Sequence, residues 1–444
     1  MKNKDLLLAA AAFLGLLLAV IIGIFAWHSL EAGSLAGSTD SGLAADTDAG
    51  FLAEGQGREQ AEAFAEDGGQ TETLAQGAAA GQTEILEAGQ AQGEEAGGSR
   101  PGDGKGAQPG DGKGAQPEEG QGARPEEELP VRLVFAGDIY LSDHVLAAYE
   151  AAGGIRGVVD SELAEVIGAG DIFMANQEFP FSHRGTPAPD KQYTFRLAPE
   201  RVSLLQEMGV DIVTLANNHA LDYGTEALLD TCEILDEAGI RRVGAGKNLD
   251  EARAPVILEA QGKKIGFLGA SRVIPVTSWN ASSQSPGMLT TYDPAILLEE
   301  IKKLRPLCDY LVVYVHWGIE RDERPQEYQR ALGQQYIDAG ADLVIGSHPH
   351  VLQGIEYYKG KPIVYSLGNF VFGSSIPRTA LLTAVWDGEE THLSLTPAVS
   401  GGGFTRAVTD AGEQAAFYKY MTEISYGAEV SGEGVRPVSG EAGQ

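Results

Sequence analysis

Several short apolar runs in this sequence end in residues able to hold a metal ion. Asp138 follows VFAG, Asn176 and Glu178 follow DIFMA, and Asn217, Asn218 and His219 follow IVTLA. His316 follows VVYV, and His348 and His350 follow LVIGS. Imidazole, carboxylate and amide oxygen suit zinc, iron or manganese, and the absence of nearby cysteine excludes a thiolate site. In an extended segment, His348 and His350 would point the same way. A carboxylate shared by two ions about 3.5–4 Å apart is the usual bridge of a hydrolytic pair, which activates water and clamps both oxygens of an in-line displacement. Each residue alone has an ordinary reading: Asp138 as a turn residue, His316 as a satisfied core histidine. Five strand ends carrying such groups together argue for one polar pocket holding one or two divalent ions. Arg196, in YTFRLAP, is a guanidinium fork for a substrate anion or half of a surface ion pair. Trp317 and Glu320, beside His316, are placed to line the pocket or to support its ligands. The segment Gly244-Ala245-Gly246-Lys247 lacks the spacing of a phosphate loop and reads as a plain loop.

The elements that must position these groups are legible from Val131 onward. Short β-branched runs such as VRLVFAGD, KIGFLGAS and YLVVYVHWG alternate with helical patterns such as SELAEVIGAG, TEALLDTCEILDEAG and EYQRALGQQYIDAG. That alternation predicts an α/β domain with largely parallel strands, whose ligands bind beyond the carboxyl ends of the strands. Gly170, Gly209, Gly239 and Gly340 are placed to stop four helices. EYYKGKPIVYS and TALLTAVWDGEETHLSLTP read as hairpins, so two sheets are expected.

Six motifs occur in order over about residues 131–400: GDIYLSD, NQEFPFS, TLANNHALDYG, HWGIE, GSHPHVLQG and YSLGNF. Together they resemble the CapA-type capsule or poly-γ-glutamate synthesis proteins of the calcineurin-like metallophosphatase superfamily. The resemblance implies a four-layer α-β-β-α sandwich of two mixed sheets flanked by helices. It implies Asp138 as the first metal-binding carboxylate, Glu178 as the bridge, and Asn218, His316, His348 and His350 as further ligands. It also implies His219 as proton donor to a leaving group, with Asp222 orienting it. One departure is Asp138-Ile139-Tyr140, where the superfamily has Asp-x-His. The first ion thereby loses an imidazole, since a phenol ligates only when ionised and its ordinary pKa is about 10. That site is then weak or completed by water. The second departure is Glu178, where most phosphoesterases have Asp. Both changes bear on phosphatase turnover more than on metal binding.

Composition sets the surroundings. The 444 residues carry a formal charge of −31, and residues 28–130 hold 21 Asp and Glu against 5 Lys and Arg. Residues 131–426 are acidic too, which argues against nucleic acid and against a basic patch for anionic lipid. Cys232 and Cys308 cannot build a disulfide framework and read as buried thiols. Residues 6–27 are 22 uncharged positions, about 33 Å as a helix, enough to span a bilayer and too long for a signal peptide. Residues 1–27 are therefore expected to be an uncleaved membrane anchor with a cytoplasmic N-terminus and everything beyond it outside. Residues 28–130, including the octapeptide PGDGKGAQ twice and then PEEGQGAR, lack the apolar surface to fold and read as a disordered tether. The folded domain is expected over 131–426, and 427–444 reads as a polar tail. The resulting expectation is a membrane-anchored, extracytoplasmic metal-dependent hydrolase cleaving a phosphoester or amide bond in an anionic surface polymer or its precursor, with membrane synthase subunits as possible partners. The alternative is a non-catalytic subunit that holds such a polymer during synthesis or export. The His219–Asp222 pair favours the enzyme, and the first metal motif weakened at Tyr140, together with the tether, favours the holder.

Overall fold

The computed structural model describes residues 129–438. The expected anchor and tether lie outside the described residues, among which no helix is long and apolar enough to cross a membrane. In chain order the helices are α1 (Asp143–Ala152), α2 (Ser161–Gly168), α3 (Val202–Met208), α4 (Gly224–Glu237), α5 (Leu249–Ala252), α6 (Ala295–Leu304), α7 (Glu327–Ala339) and α8 (Ala411–Ile424). The strands before α6 are β1 (Val131–Ile139), β2 (Ile172–Gln177), β3 (Ile212–Thr214), β4 (Arg241–Val243), β5 (Ala245–Gly246), β6 (Val256–Ala260), β7 (Lys263–Ser271) and β8 (Gly287–Met288). After it come β9 (Tyr310–His316), β10 (Leu343–Ser347), β11 (Leu352–Tyr358), β12 (Lys361–Leu367), β13 (Asn369–Val371), β14 (Ser375–Trp386), β15 (Thr391–Gly401), β16 (Phe404–Ala407), β17 (Ala428–Ser431) and β18 (Gly434–Pro437).

Two main mixed sheets result. One runs β17-β18-β15-β14-β1-β2-β3-β4, with β13 added beside β1 and β16 beside β15. The other runs β11-β12-β10-β9-β7-β6. In each, the central strands are parallel and the hairpin strands antiparallel. The parallel strands are apolar throughout because both of their faces are covered: every residue of β2 and β9 is buried. Alternation along β1 assigns the faces. Leu133 and Phe135 meet Phe267, Val312 and Tyr314 of the other sheet, whereas Val134 and Ala136 join a second core with Val145, Leu163, Leu204 and Leu228 from α1 to α4. A third core packs Leu268, Val313 and Val344 against Leu297 and Ile301 of α6 and Tyr336 of α7.

Both expected hairpins form, and the first turns on Lys359 (φ 51°) and Gly360 (φ 78°), the primed geometry that suits the twist of its strands. Gly209, Gly239 and Gly340 end helices with positive φ. Gly170 does not; a Cβ there would stand 2.8 Å from Val134 Cγ2, so it is small for packing instead. Cys232 is buried and Cys308 half-buried, both as free thiols. The expected polar tail is a correction: β17 and β18 form a hairpin on the edge of the larger sheet, with Ala428, Val430 and Val435 buried in the core between the sheets. Helices α1 and α8 were also not expected from the sequence patterns.

Candidate metal centre

The site lies at the carboxyl ends of β1, β2, β3, β9 and β10. Asp138 is fully buried near the end of β1, paired in register with Asn176 on one side and Asn369 on the other. The strand and the following loop approach so closely that a Cβ on Gly137 would lie 1.8 Å from the carbonyl oxygen of Gly368, and Asp138 N–H donates to that same oxygen at 2.8 Å. The Asp138 carboxylate is held by amides: Asn176 Nδ2 donates to Oδ1 at 2.8 Å, and Asn217 Nδ2 donates to Asn176 Oδ1 at 2.9 Å. The His348 backbone N–H reaches Asp138 Oδ2 at 3.3 Å.

Glu178 sits one residue past β2, and neither of its buried carboxylate oxygens has a hydrogen-bond partner. Two ligand-sized clusters share it. Glu178, His316 and His348 offer one atom each within 4.8 Å of one another, and so do Asp138, Glu178 and His350. His316 Nε2 stands 3.5 Å from Glu178 Oε1 and 2.8 Å from Asn218 Oδ1. Ser347 Oγ and Asn176 Nδ2 contact its other nitrogen at 3.0 and 3.3 Å and fix the ring. The His348 Nδ1 is buried and likewise without a partner. A folded protein rarely leaves such atoms unpaired. Three orphaned atoms, the two Glu178 oxygens and His348 Nδ1, fit divalent cations, and the oxygen and imidazole donor set fits first-row metals. His348 and His350 do not lie in an extended segment; both have positive φ, 98° and 58°. This strained turn places the two imidazoles in different clusters, so they address two positions flanking Glu178.

The electrostatics agree with that fit. Burial, reinforced by the neighbouring Asp138 carboxylate, pushes the Glu178 pKa well above the ordinary range. Burial pushes His316 and His348 well below the ordinary imidazole value, which leaves them neutral and able to ligate. Burial also opposes charge on His350, but the carboxylates of Glu178 and Asp138 outweigh it and raise its pKa to about 10.

Beside the cluster, His219 Nδ1 lies 2.6 Å from Asp222 Oδ2. Asp222 is fully buried and accepts the Phe195 N–H at 2.6 Å. The His219 ring stacks on Phe195 (4.1 Å between centroids), which stacks on Tyr140 (3.9 Å). Burial lowers the His219 pKa to about 4 against the opposing pull of Asp222. The sequence reading missed Lys191, whose Nζ reaches the Asn218 carbonyl oxygen, His219 Nδ1 at 2.9 Å and Asp222 Oδ1. It comes from a long irregular loop, and only the Asp222 motif it meets in space could have drawn attention to it.

The structure thus gathers Asp138, Glu178, Asn218, His316, His348 and His350, with His219 and Asp222 adjacent. Glu320, half-buried, acts on Glu178 and Lys191 through its charge. Tyr140 is a packing platform: burial pushes its pKa up to about 12, which keeps the phenol neutral. Trp317 does not line the pocket. Alternation turns it to the opposite face of the sheet from His316, where it stacks near Tyr336 and donates to the Tyr365 carbonyl at 2.9 Å. Arg196 is exposed and lies over the Tyr223 ring at 4.0 Å while donating to the Arg184 carbonyl at 3.3 Å.

Comparison with known proteins bears on the whole arrangement. Residues 132–374 match the bacterial capsule synthesis protein family PGA_cap. The chain is 32% identical over 302 residues to the capsule biosynthesis protein CapA of Bacillus anthracis, covering 66% of this chain and 72% of that protein. It is 34% identical over 247 residues to the PGA biosynthesis protein CapA of Bacillus subtilis (strain 168), covering 55% and 64% respectively. Among solved structures, the Haemophilus influenzae NAD nucleotidase overlays with a TM-score of 0.35 and 11% identity, over 69% of this chain and 57% of that one, too loosely to bear on the chemistry. Every residue of the cluster, from Asp138 to Asn369, lies inside the matched segment, and the chain belongs to the bacterial capsule synthesis protein family.

Proposed function

We propose that this protein is a metal-dependent hydrolase acting on an anionic surface polymer of the capsule or poly-γ-glutamate type, or on its precursor. The polymer class comes from the names of its relatives. The chemistry rests on one observation: a buried carboxylate with two unpartnered oxygens shared by two ligand clusters. In this reading Glu178, Asn218, His316 and His348 hold one ion, and Asp138, Glu178 and His350 hold a second. Manganese, iron or zinc bound there would supply Lewis acidity and lower the pKa of a coordinated water. The layering of the three cores supports the four-layer α-β-β-α sandwich of metallophosphatases.

His219 is the residue that moves a proton. Its Nδ1 is committed to Asp222 and Lys191, which leaves Nε2 to exchange a proton with a leaving group. Burial keeps the ring neutral while no substrate is present, and an anionic substrate arriving beside it favours the protonated form. The Phe195 face and the Asp222 carboxylate fix the ring plane, so the proton is delivered from a set direction. Asp138, Glu178 and His316 are fully buried, which limits the access of bulk water to these ligating atoms.

Residues 6–27 anchor the protein in the cell membrane by a single pass, with the N-terminus cytoplasmic and the domain outside. The acidic segment 28–130 serves as tether, and membrane synthase subunits are the expected partners. A second reading, a polymer-holding subunit without turnover, is favoured by Tyr140, which occupies the motif position of an imidazole and leaves the ion of Asp138, Glu178 and His350 one donor short. The two separate in one assay. Full-length protein loaded with Mn2+ is offered γ-glutamyl oligomers and phosphodiesters, with Glu178→Gln as control. Cleavage that requires Glu178 supports the hydrolase, while tight polymer binding with no cleavage overturns it in favour of the holder.

A further inference from the structure

The second ligand cluster is short of a donor, because the Tyr140 ring is held between Phe195 at 3.9 Å and Phe372 at 5.4 Å. Beside His350 of that cluster stands Asn369, the first residue of β13 and part of the YSLGNF motif, to which the proposed function gives no role. Its Oδ1 lies 2.7 Å from His350 Nδ1. The same nitrogen stands 3.4 Å from Asp138 Oδ2 and 3.9 Å from Glu178 Oε2. Measured from His350 Nδ1, these three oxygens stand at distances that bracket the roughly 3.0–3.4 Å between donors bound to one ion through bonds of about 2.1 Å. The backbone builds this placement. Asn369 pairs with Asp138 in the parallel bridge of β13 and β1, and the Gly137–Gly368 contact leaves no room for a side chain between them. An amide oxygen is a suitable donor for the metals in question.

We propose that Asn369 Oδ1 is a ligand of the ion held by Asp138, Glu178 and His350, supplying the donor that Tyr140 does not. The inference rests on the metal-centre reading and adds to it a complete four-donor shell for the second ion. In the alternative role, Asn369 only accepts a hydrogen bond from His350 and never touches the ion.

The test uses the full-length chain and Mn2+ as the probe. Binding stoichiometry and affinity are measured for wild type, Asn369→Ala and Asn369→Asp, with melting curves to verify folding. A crystal structure of Mn2+-loaded wild type, with anomalous maps, locates the ions. The expected results are two ions per wild-type chain, an anomalous peak within bonding distance of Asn369 Oδ1, and one ion weakened by at least about tenfold in Asn369→Ala. Asn369→Asp, which restores an oxygen donor, should retain both. Two ions of unchanged affinity in Asn369→Ala, or a peak beside Asp138 that Oδ1 does not touch, overturns the inference and leaves the metal centre standing. A wild type that holds a single ion also overturns it. No bound Mn2+ at all overturns the metal-centre reading together with it.

Discussion

Glu178→Gln should make the metal-free protein more stable while abolishing its response to metal. The Glu178 side chain is fully buried, its oxygens have no hydrogen-bond partner, and Asp138 lies alongside. Because burial raises its folded pKa above the ordinary 4.5, the folded metal-free protein binds a proton that the unfolded chain releases. Wild-type stability therefore falls as pH rises above about 4.5, a slope the glutamine variant lacks. Each pH unit of that slope is worth about 1.4 kcal/mol, so the glutamine, whose amide never ionises, should gain about 1–3 kcal/mol at pH 7. For a domain of this size that corresponds to a rise in melting temperature of about 2–6 °C. With metal at one hundred times its Kd, each of the two ions adds about 2.7 kcal/mol to wild type, and the variant gains nothing. The order of the two melting temperatures should thus invert between chelator and metal. Scanning calorimetry at pH 7 and pH 4.5 reads all of this. A variant that melts below wild type in chelator, or rises equally with metal, refutes the reasoning.

Three further outcomes are expected. His219→Ala should keep its metal, measured by elemental analysis, yet lose roughly 100 to 10,000-fold in turnover, less for substrates with acidic leaving groups; loss of metal would make His219 a ligand instead. Metal affinity should rise with pH between about 6 and 9, since the coupled Glu178–Asp138–His350 cluster holds a proton that must leave before its groups ligate, and calorimetry in two buffers should register its release. Ending the chain after residue 427 should lower stability by about 3 kcal/mol or more in denaturant titration, because Val430 and Val435 lose their burial, whereas a polar tail would cost nothing.

The part of this site legible in the sequence is the part that follows a strand. Asp138, Glu178, Asn218, His316 and His348 each stand just after or at the end of an apolar run, and parallel strands bring such ends to one side. What escaped reading is contributed by tertiary approach. Lys191 arrives from a loop with no periodicity, and Asn369 is placed by a backbone contact between glycines 231 positions apart. Trp317 was readable and misread: it follows His316 by one residue, so alternation alone puts it on the far face. The His348-Pro349-His350 turn was misjudged because nothing local announces two residues at positive φ. The hairpin at 428–437 hides behind its glycines and charges, and its apolar residues are too few to signal an edge strand without the sheet they complete.

The claim most exposed to a single measurement is that Glu178 bridges two ions. Electron paramagnetic resonance of the full-length protein titrated with Mn2+ addresses it directly, since two Mn2+ ions sharing a carboxylate couple their spins. The expected result is two ions per chain with a coupled spectrum that disappears in Glu178→Gln. A wild type that binds no Mn2+, or a coupled spectrum that persists in the variant, would contradict the account.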